Sequence, residues 1–234
     1  FNLYFLLMMK NVRQAVKNTE LKWFLSIFAL AVVFSTILFA AKRVYLSFGE
    51  TVLNAAFAAS SAVSTTGFIP AGFIMWPAFV QLLLVLLMAI GGCSGSASGG
   101  LKVTRVAVLF KTAARELRKS ISPRTVVRVR MDKKPLETEL VVGIMTYVAF
   151  YVLLILASAF FFTLDNAFSA FSDAISLSVA TASNSGVFIH AGNAVNSAYD
   201  LSTLSKLVMS FNMIVGRLEM IPVLAFLHPK AWRY

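Results

Sequence analysis

The sequence predicts an all-α membrane protein in which one order of helices and loops occurs twice along the chain. Of the 234 residues, 59% are hydrophobic and 13% are charged, which is about half the charged share of an average soluble domain. Residues 51–101 carry no charged side chain, so they cannot form a water-exposed surface. The composition excludes intrinsic disorder. The single cysteine, Cys93, excludes a disulfide framework within this chain.

Four apolar stretches are long enough to cross a bilayer, which takes about 20 residues as a helix. They are residues 23–41, 73–92, 140–164 and 205–227. Four crossings place both ends of the chain on the same side of the membrane. Between the second and third crossings, residues 102–134 hold 11 Lys or Arg against two acids. The positive-inside rule predicts that this basic segment, and therefore both chain ends, are cytoplasmic.

The net charge of +11 does not indicate a nucleic-acid partner. A nucleic-acid surface interleaves aromatic side chains with cations, whereas residues 102–134 contain only one aromatic residue, Phe110. We expect no nucleic acid, and we expect the anionic headgroups of the lipid bilayer as partners of these cations.

An internal repeat with an offset of 119 residues gives the order of the elements. Residues 48–72 and 167–192 each follow one span and precede another, and each contains a helix too short to cross. The sequence VSTTGF at 63–68 aligns with ASNSGV at 182–187. The predicted order is therefore span, short helix, polar glycine loop and span, twice.

The two polar loops are candidate ion-binding loops, since irregular backbone at membrane depth is tolerated only where it lines a cavity or is buried in protein. Backbone carbonyls can replace the hydration shell of a cation, and a glycine in each loop gives the backbone the necessary freedom. Neither loop contains a carboxylate, which disfavours a divalent site. The candidate residues are Ser64, Thr65, Thr66, Gly67, Ser183, Asn184, Ser185 and Gly186. The alternative is that both loops only pack helices.

The glycine-rich segment 91–100 is predicted to break the second span. Each glycine costs about 1 kcal/mol in a helix interior, and a broken span leaves backbone groups that need water or protein partners. A loop that faces a pore cavity supplies both, and the alternative is a flexible linker between helices. The segment consists of Gly91, Gly92, Cys93, Ser94, Gly95, Ser96, Ala97, Ser98, Gly99 and Gly100.

Gly92-Cys93-Ser94-Gly95 also matches the GxSG motif of rhomboid intramembrane serine proteases. Such an enzyme needs a histidine at mid-membrane depth to accept the serine proton. His190 lies near the outer end of a loop and His228 lies beyond the last span. We expect no enzyme activity.

Arg217 lies near the middle of the last predicted span. A charge at this depth costs about 2.5–3.5 kcal/mol or more, so such a residue faces a cavity or a partner and is a functional candidate. Glu219, two positions on, points elsewhere on a helix. The alternative role for Arg217 is an ion pair buried between helices.

These motifs resemble the Trk/Ktr/HKT superfamily of potassium transporters, and most closely its bacterial Trk-type potassium-translocating subunit. The resemblance rests on STTGF at 64–68, GGCSGSASGGLKV at 91–103, SNSGV at 183–187 and GRLE at 216–219. The family surrounds one potassium channel-like pore with four repeats of a first span (M1), a pore helix, a filter loop and a second span (M2). This chain is similar to the third and fourth repeats, and we expect the first two repeats on a preceding part of the polypeptide rather than on a second copy.

The resemblance divides the chain into five segments. They are the end of a cytoplasmic linker (1–22), a pore repeat with a broken M2 (23–118), a basic cytoplasmic linker (119–138), a second pore repeat (139–229) and a cytoplasmic tail (230–234).

The resemblance also implies roles for these residues and for partners. Potassium ions, with no covalently bound cofactor, would be held in the filter at Thr65, Thr66, Asn184 and Ser185, and the segment 91–100 with Arg217 would act as the gate. The resemblance implies a homodimer in the bacterial cytoplasmic membrane. It also implies that the homodimer binds a cytosolic nucleotide-binding regulatory ring. Residues 102–134 and 230–234 are then candidate docking surfaces for that ring. The alternatives are a transporter of the same fold that accepts sodium and potassium, or a purely structural subunit.

Overall fold

A computed structural model of the chain describes residues 18–68, 70, 73, 76–122, 128–132, 134–165, 171–186 and 201–218. These residues form seven helices and one short hairpin. In chain order they are α1 (Thr19–Lys42), α2 (Phe48–Ser64), α3 (Ala78–Ile90), α4 (Val103–Ile121), β1 (Arg130–Met131), β2 (Lys134–Pro135), α5 (Thr138–Phe162), α6 (Phe171–Ala182) and α7 (Thr203–Leu218).

Helices α1 and α5 are the membrane-spanning helices predicted at residues 23–41 and 140–164. They have 24 and 25 residues and are long and apolar enough to cross a bilayer, at about 1.5 Å of rise per residue. Large apolar side chains on both helices are exposed, for example Ile37 and Leu153. Such faces fit a lipid environment, because a lipid-exposed helix has no need of a polar side.

The two short helices pack beside the two long ones. Helix α2 lies against α1, and α6 lies against α5, α7 and also α3. The buried positions of α2 are mostly alanine and serine, including Ala55, Ala59 and Ala62. Small side chains allow helix backbones to approach closely in a membrane protein. The contact between α6 and α3 joins the two halves of the chain.

The second predicted span is broken, as the glycine content of residues 91–100 predicts. Helix α3 starts at Ala78, several residues after the predicted start of the span, because Pro77 directly precedes it and lacks an N–H for a preceding turn. It ends at Ile90, and α4 begins at Val103. With 13 residues, α3 is about 20 Å long, which is too short to cross a bilayer, so the loop at 91–102 interrupts the predicted span.

The fourth predicted span corresponds to α7, which is described as far as Leu218. Glu219, the remainder of that predicted span and the tail at 230–234 lie outside the described residues. His190, His228 and most of the segment 1–22 also lie outside them.

Candidate functional site

The two polar loops have the same backbone conformation at equivalent positions. Thr65 (φ 54°) and Asn184 (φ 53°) are both left-handed and lie 119 residues apart. The Thr65 N–H donates to the Ala62 carbonyl at 3.2 Å, and the Asn184 N–H donates to the Thr181 carbonyl at 3.2 Å. The next residue in each loop reaches one carbonyl further back, to Ser61 and to Ala180, each at 3.0 Å. Both short helices therefore end in the same Schellman-type cap.

Each cap is followed by a glycine with positive φ, Gly67 at 91° and Gly186 at 68°. The sequence predicts these two positions, because glycine adopts such angles without strain. It does not predict the left-handed Thr65, since a β-branched residue is a conformational outlier there. The side chain of Thr65 accepts a hydrogen bond from the Gly99 N–H, and this contact stabilises the left-handed conformation of Thr65.

Several polar side chains of the loops brace the backbone. Thr65 Oγ1 accepts a hydrogen bond from the Gly99 N–H at 3.2 Å. Asn184 Nδ2 donates to the Met213 carbonyl on α7 at 3.1 Å, and the Ser64 and Thr66 hydroxyls lie 2.6 Å apart. Ser183 and Ser185 are buried. These contacts occupy the side chains of Thr65 and Asn184, so the backbone carbonyls are the candidate ligands for an ion.

The segment 91–102 is a folded loop that returns to its own start; we call it the gate loop, after the role that the resemblance implies for it. The N–H groups of Leu101 and Lys102 donate to the carbonyls of Ala89 and Ile90, at 2.9 and 2.8 Å. The exit of the loop therefore satisfies carbonyls at the end of α3 that would otherwise have no partner. Within the loop, the Ser98 hydroxyl accepts from the Gly92 N–H at 2.9 Å.

The gate loop touches both polar loops through Gly99. Its N–H donates to Thr65, and its Cα lies so close to Ser183 that an added Cβ would be 1.9 Å from the Ser183 carbonyl oxygen. Residues 64–67, 91–100 and 183–186, which the sequence singles out separately, are thus brought together. A flexible linker is not what the structure shows.

Two cations hold the carbonyls of the gate loop. Arg217 donates from Nη1 to the Ala97 carbonyl. Lys102 donates from Nζ to the Ser96 carbonyl at 2.9 Å and also to the Ser98 carbonyl. Arg217 is exposed, which disagrees with the alternative of an ion pair buried between helices. The structure places Arg217 in contact with the loop that the resemblance pairs with it, whereas sequence reasoning missed Lys102.

An open cavity of about 290 Å³ lies against the gate loop. Its lining includes loop residues from Gly95 to Gly100 together with Lys102, Tyr147, Gly216 and Arg217. The guanidinium of Arg105 lies 3.8 Å from the ring centroid of Tyr147, a cation–π contact that joins α4 to α5. Among the described residues, no group of three or more His, Cys, Asp or Glu side chains could hold a metal ion.

A second feature that sequence reasoning missed is Glu20. Its carboxylate Oε1 accepts from the Ser94 N–H at 2.5 Å and from the Thr104 hydroxyl at 2.6 Å. The available signal was the repeat itself, because Thr19-Glu20-Leu21 recurs at 138–140. Only the structure shows that the first copy lies against the gate loop.

Comparisons with known proteins show which family and which fold the chain is similar to. Residues 2–234 match the family described as TrkH, cation transport protein. The chain is 31% identical over 219 residues to the Trk system potassium uptake protein TrkH of Escherichia coli K12, covering 93% of this chain and 44% of that protein. It is 26% identical to the Trk system potassium uptake protein TrkG of the same organism, covering 98% of this chain and 46% of that protein.

A solved structure is also similar. The crystal structure of the potassium transporter TrkH from Vibrio parahaemolyticus superposes with a TM-score of 0.88 at 28% identity, over 100% of this chain and 50% of that one. The chain thus spans about half the length of these relatives. They are transporters, in agreement with the expectation that this chain is not an enzyme.

Proposed function

This chain belongs to the TrkH family of cation transport proteins, and we propose that it forms half of a pore that carries potassium ions across the cytoplasmic membrane of a bacterium. Carbonyls of residues 64–67 and 183–186 would coordinate the partly dehydrated ion, with Thr65, Thr66, Asn184 and Ser185 at the binding positions. The first two repeats would complete the ring of four loops. Both ends of this chain would be cytoplasmic.

The main support for this proposal is the equivalence of the two polar loops. Two sequences that share few side chains adopt the same cap and the same positive-φ glycine 119 residues apart. Equivalent loop backbones support a pore, because an ion on a pseudo-symmetry axis needs equivalent ligands from each repeat.

We propose that the gate loop closes the path below these carbonyls. It contacts both polar loops at Gly99 and is held by Lys102 and Arg217. Both cations also place positive charge near the path, which opposes the entry of a cation until the loop moves. Opening would require the cations to release the loop carbonyls.

The proposal includes two protein partners. A complete subunit would form a homodimer and would bind a cytosolic nucleotide-binding ring through the basic segment 102–134 and the tail 230–234. The charge of this segment supports such docking, as it also supports contact with anionic lipid headgroups. Loss of ring binding upon neutralisation of the cations at 102–134 would be the expected result.

The experiment that tests the pore is uptake of ⁸⁶Rb⁺ into proteoliposomes that contain the full-length protein, in competition with K⁺ or Na⁺. The informative change is Gly186→Ala. An added Cβ at Gly186 meets none of the described residues within 4 Å, so within this part of the chain the change acts through its φ of 68°, where an L-residue is disfavoured by about 1–2 kcal/mol. The matched control is Gly143→Ala on α5, where an added Cβ also meets nothing within 4 Å.

We expect K⁺ to block uptake far better than Na⁺ in the wild type, a weaker preference in Gly186→Ala, and no change in Gly143→Ala. Equal competition by both ions in the wild type would favour the alternative of a sodium and potassium transporter of the same fold. Uptake that is identical in both glycine variants would contradict the assignment of residues 183–186 to the filter.

A further inference from the structure

We infer that Glu20 is a positioning residue that clamps the entry of the gate loop and connects it to the cytoplasmic hairpin β1–β2. The effect of this clamp on transport rests on the proposed function, whereas the contacts of Glu20 are observed independently of it. It concerns the entry of the loop at Ser94, whereas Arg217 and Lys102 donate to the carbonyls of residues 96–98.

The clamp consists of three side chains and one backbone group. Glu20 Oε1 accepts hydrogen bonds from the Ser94 N–H and the Thr104 hydroxyl. The hydroxyls of Ser94 and Thr104 lie 2.6 Å apart. A single carboxylate oxygen therefore joins α1, the entry of the loop and the first turn of α4. Hydrogen bonds to a charged acceptor are stronger than those between neutral groups.

The backbone under Glu20 is fixed by caps on three successive N–H groups. Asn18 Oδ1 accepts from the N–H groups of Glu20 and Leu21, at 2.8 and 3.4 Å. Asp132 Oδ1 accepts from the Thr19 N–H at 2.7 Å. These donors at a helix start have no partner within the helix. The first turn of α1 is thus held partly by a residue of the hairpin, next to Glu20.

The link between Thr19 and Asp132 is reciprocal. The Asp132 N–H donates back to Thr19 Oγ1 at 3.4 Å. Asp132 lies in the turn between β1 and β2, and has positive φ (46°). The hairpin also receives a hydrogen bond from Lys111 of α4, whose Nζ donates to the Arg130 carbonyl at 2.8 Å. A displacement of the hairpin therefore acts on the turn of α1 that carries Glu20.

The second half of the chain offers a natural control. Glu139 occupies the same position in α5 that Glu20 occupies in α1, 119 residues later. It is exposed, and the α5 turn that carries it begins without a side-chain cap. Helix α5 thus begins with the same three residues as α1, but its first turn has no side-chain cap. The interaction of Glu20 with the gate loop is specific to the first repeat.

The test uses the accessibility of Cys93, the residue directly before Ser94. It is partly buried, and its reaction with a cationic methanethiosulfonate reagent can be followed by peptide mass spectrometry in the full-length protein in proteoliposomes. The variants are Glu20→Ala, Glu20→Gln, Thr104→Val and Asp132→Ala, with Glu139→Ala as the matched control. Thermal unfolding of each purified variant separates a local effect from a general loss of fold.

We expect Glu20→Ala to raise the rate of Cys93 modification about tenfold above that of Glu20→Gln, because both variants lack the negative charge that disfavours the Cys93 thiolate and only Glu20→Ala also loses the hydrogen-bond acceptor. Glu20→Gln, which keeps an acceptor, should restore part of the protection, and Thr104→Val should give a smaller increase than Glu20→Ala. Asp132→Ala should raise the rate about threefold, and should add nothing in combination with Glu20→Ala, because it acts through the same turn. Glu139→Ala should leave the rate unchanged.

Equal rates in Glu20→Ala and Glu139→Ala would overturn the inference. A double variant whose rate is the product of the two single effects would overturn the connection to the hairpin. Modification of Cys93 does not depend on ion flux. A raised rate with ⁸⁶Rb⁺ uptake insensitive to Gly186→Ala would therefore support the clamp and refute the proposed pore.

Discussion

Gly99→Ala tests the closest contact in the site, where the gate loop meets both polar loops. An added Cβ would lie 1.9 Å from the Ser183 carbonyl oxygen and 2.5 Å from its carbonyl carbon. A normal contact needs more than 3 Å, so the loop backbone must move by about 1 Å or more. The movement also breaks the hydrogen bond from the Gly99 N–H to Thr65.

The energetic effect of this substitution follows from two terms. Overpacking in a well-packed region costs about 1–3 kcal/mol, and the lost hydrogen bond costs about 0.5–1.5 kcal/mol. Their sum, about 1.5–4.5 kcal/mol, destabilises the arrangement in which the loop contacts both filter segments. If that arrangement is the closed gate, its equilibrium with the open state shifts by about tenfold to a thousandfold, because each 1.4 kcal/mol is a factor of ten.

The assay is ⁸⁶Rb⁺ uptake by the full-length protein in proteoliposomes, measured without the regulatory ring, where we expect the closed state to dominate. Gly99→Ala should raise this basal uptake, and Gly143→Ala, which adds a methyl group into open space, should not. The amount of folded protein is checked by size-exclusion chromatography. A folded Gly99→Ala variant with wild-type basal uptake would refute the reasoning that the contact of Gly99 keeps the path closed.

Three further changes test other parts of the site and fold. Lys102→Met keeps the length of the side chain but removes the donor to the Ser96 and Ser98 carbonyls, so basal ⁸⁶Rb⁺ uptake should rise; unchanged uptake would mean that the lysine is not part of the gate. Arg217→Gln should also raise basal uptake. Arg217→Lys keeps the charge but not the forked donor, so its basal uptake should lie between those of Arg217→Gln and the wild type. Wild-type uptake in Arg217→Lys would indicate that charge alone matters. Phe39→Ala removes a fully buried ring that contacts Tyr45 and Trp76, and should lower the free energy of unfolding by about 3–5 kcal/mol without changing ion preference; a shift in K⁺ over Na⁺ competition would contradict this.

The sequence predicts the elements that depend on local physics. Uncharged stretches of about 20 residues predict the spans, and the glycines at 91–100 predict the break after Ile90. The offset of 119 residues between the loops predicts their equivalence, and Gly67 and Gly186 are found with positive φ. Each of these features is specified by residues that lie close together in the chain.

The contacts that join distant residues could not be predicted in this way. Glu20 and Ser94 are 74 positions apart, and nothing in the pattern around either one names the other. Lys102 belongs to the basic segment 102–134, yet its side chain folds back onto its own loop and donates to the Ser96 and Ser98 carbonyls. The left-handed conformation of Thr65 also depends on tertiary structure, since its side chain accepts a hydrogen bond from the Gly99 N–H.

The two repeats contribute differently to the gate, and one position explains why. Aligning residues 88–92 with 213–217 places Gly91 on Gly216 and Gly92 on Arg217. Both glycines mark a close backbone approach: an added Cβ would lie 2.1 Å from the Gly99 oxygen at Gly91 and 2.0 Å from the Ala182 oxygen at Gly216. The chain leaves the helix at Gly91, whereas α7 continues through Gly216 and Arg217. One repeat thus supplies a loop rich in exposed carbonyls, and the other supplies, at the equivalent level, the cation that binds one of them. A symmetric pair of loops would keep Lys102 but lack Arg217, and a symmetric pair of arginines would lack the acceptor, so the contact between Arg217 and Ala97 requires the repeats to diverge at this residue.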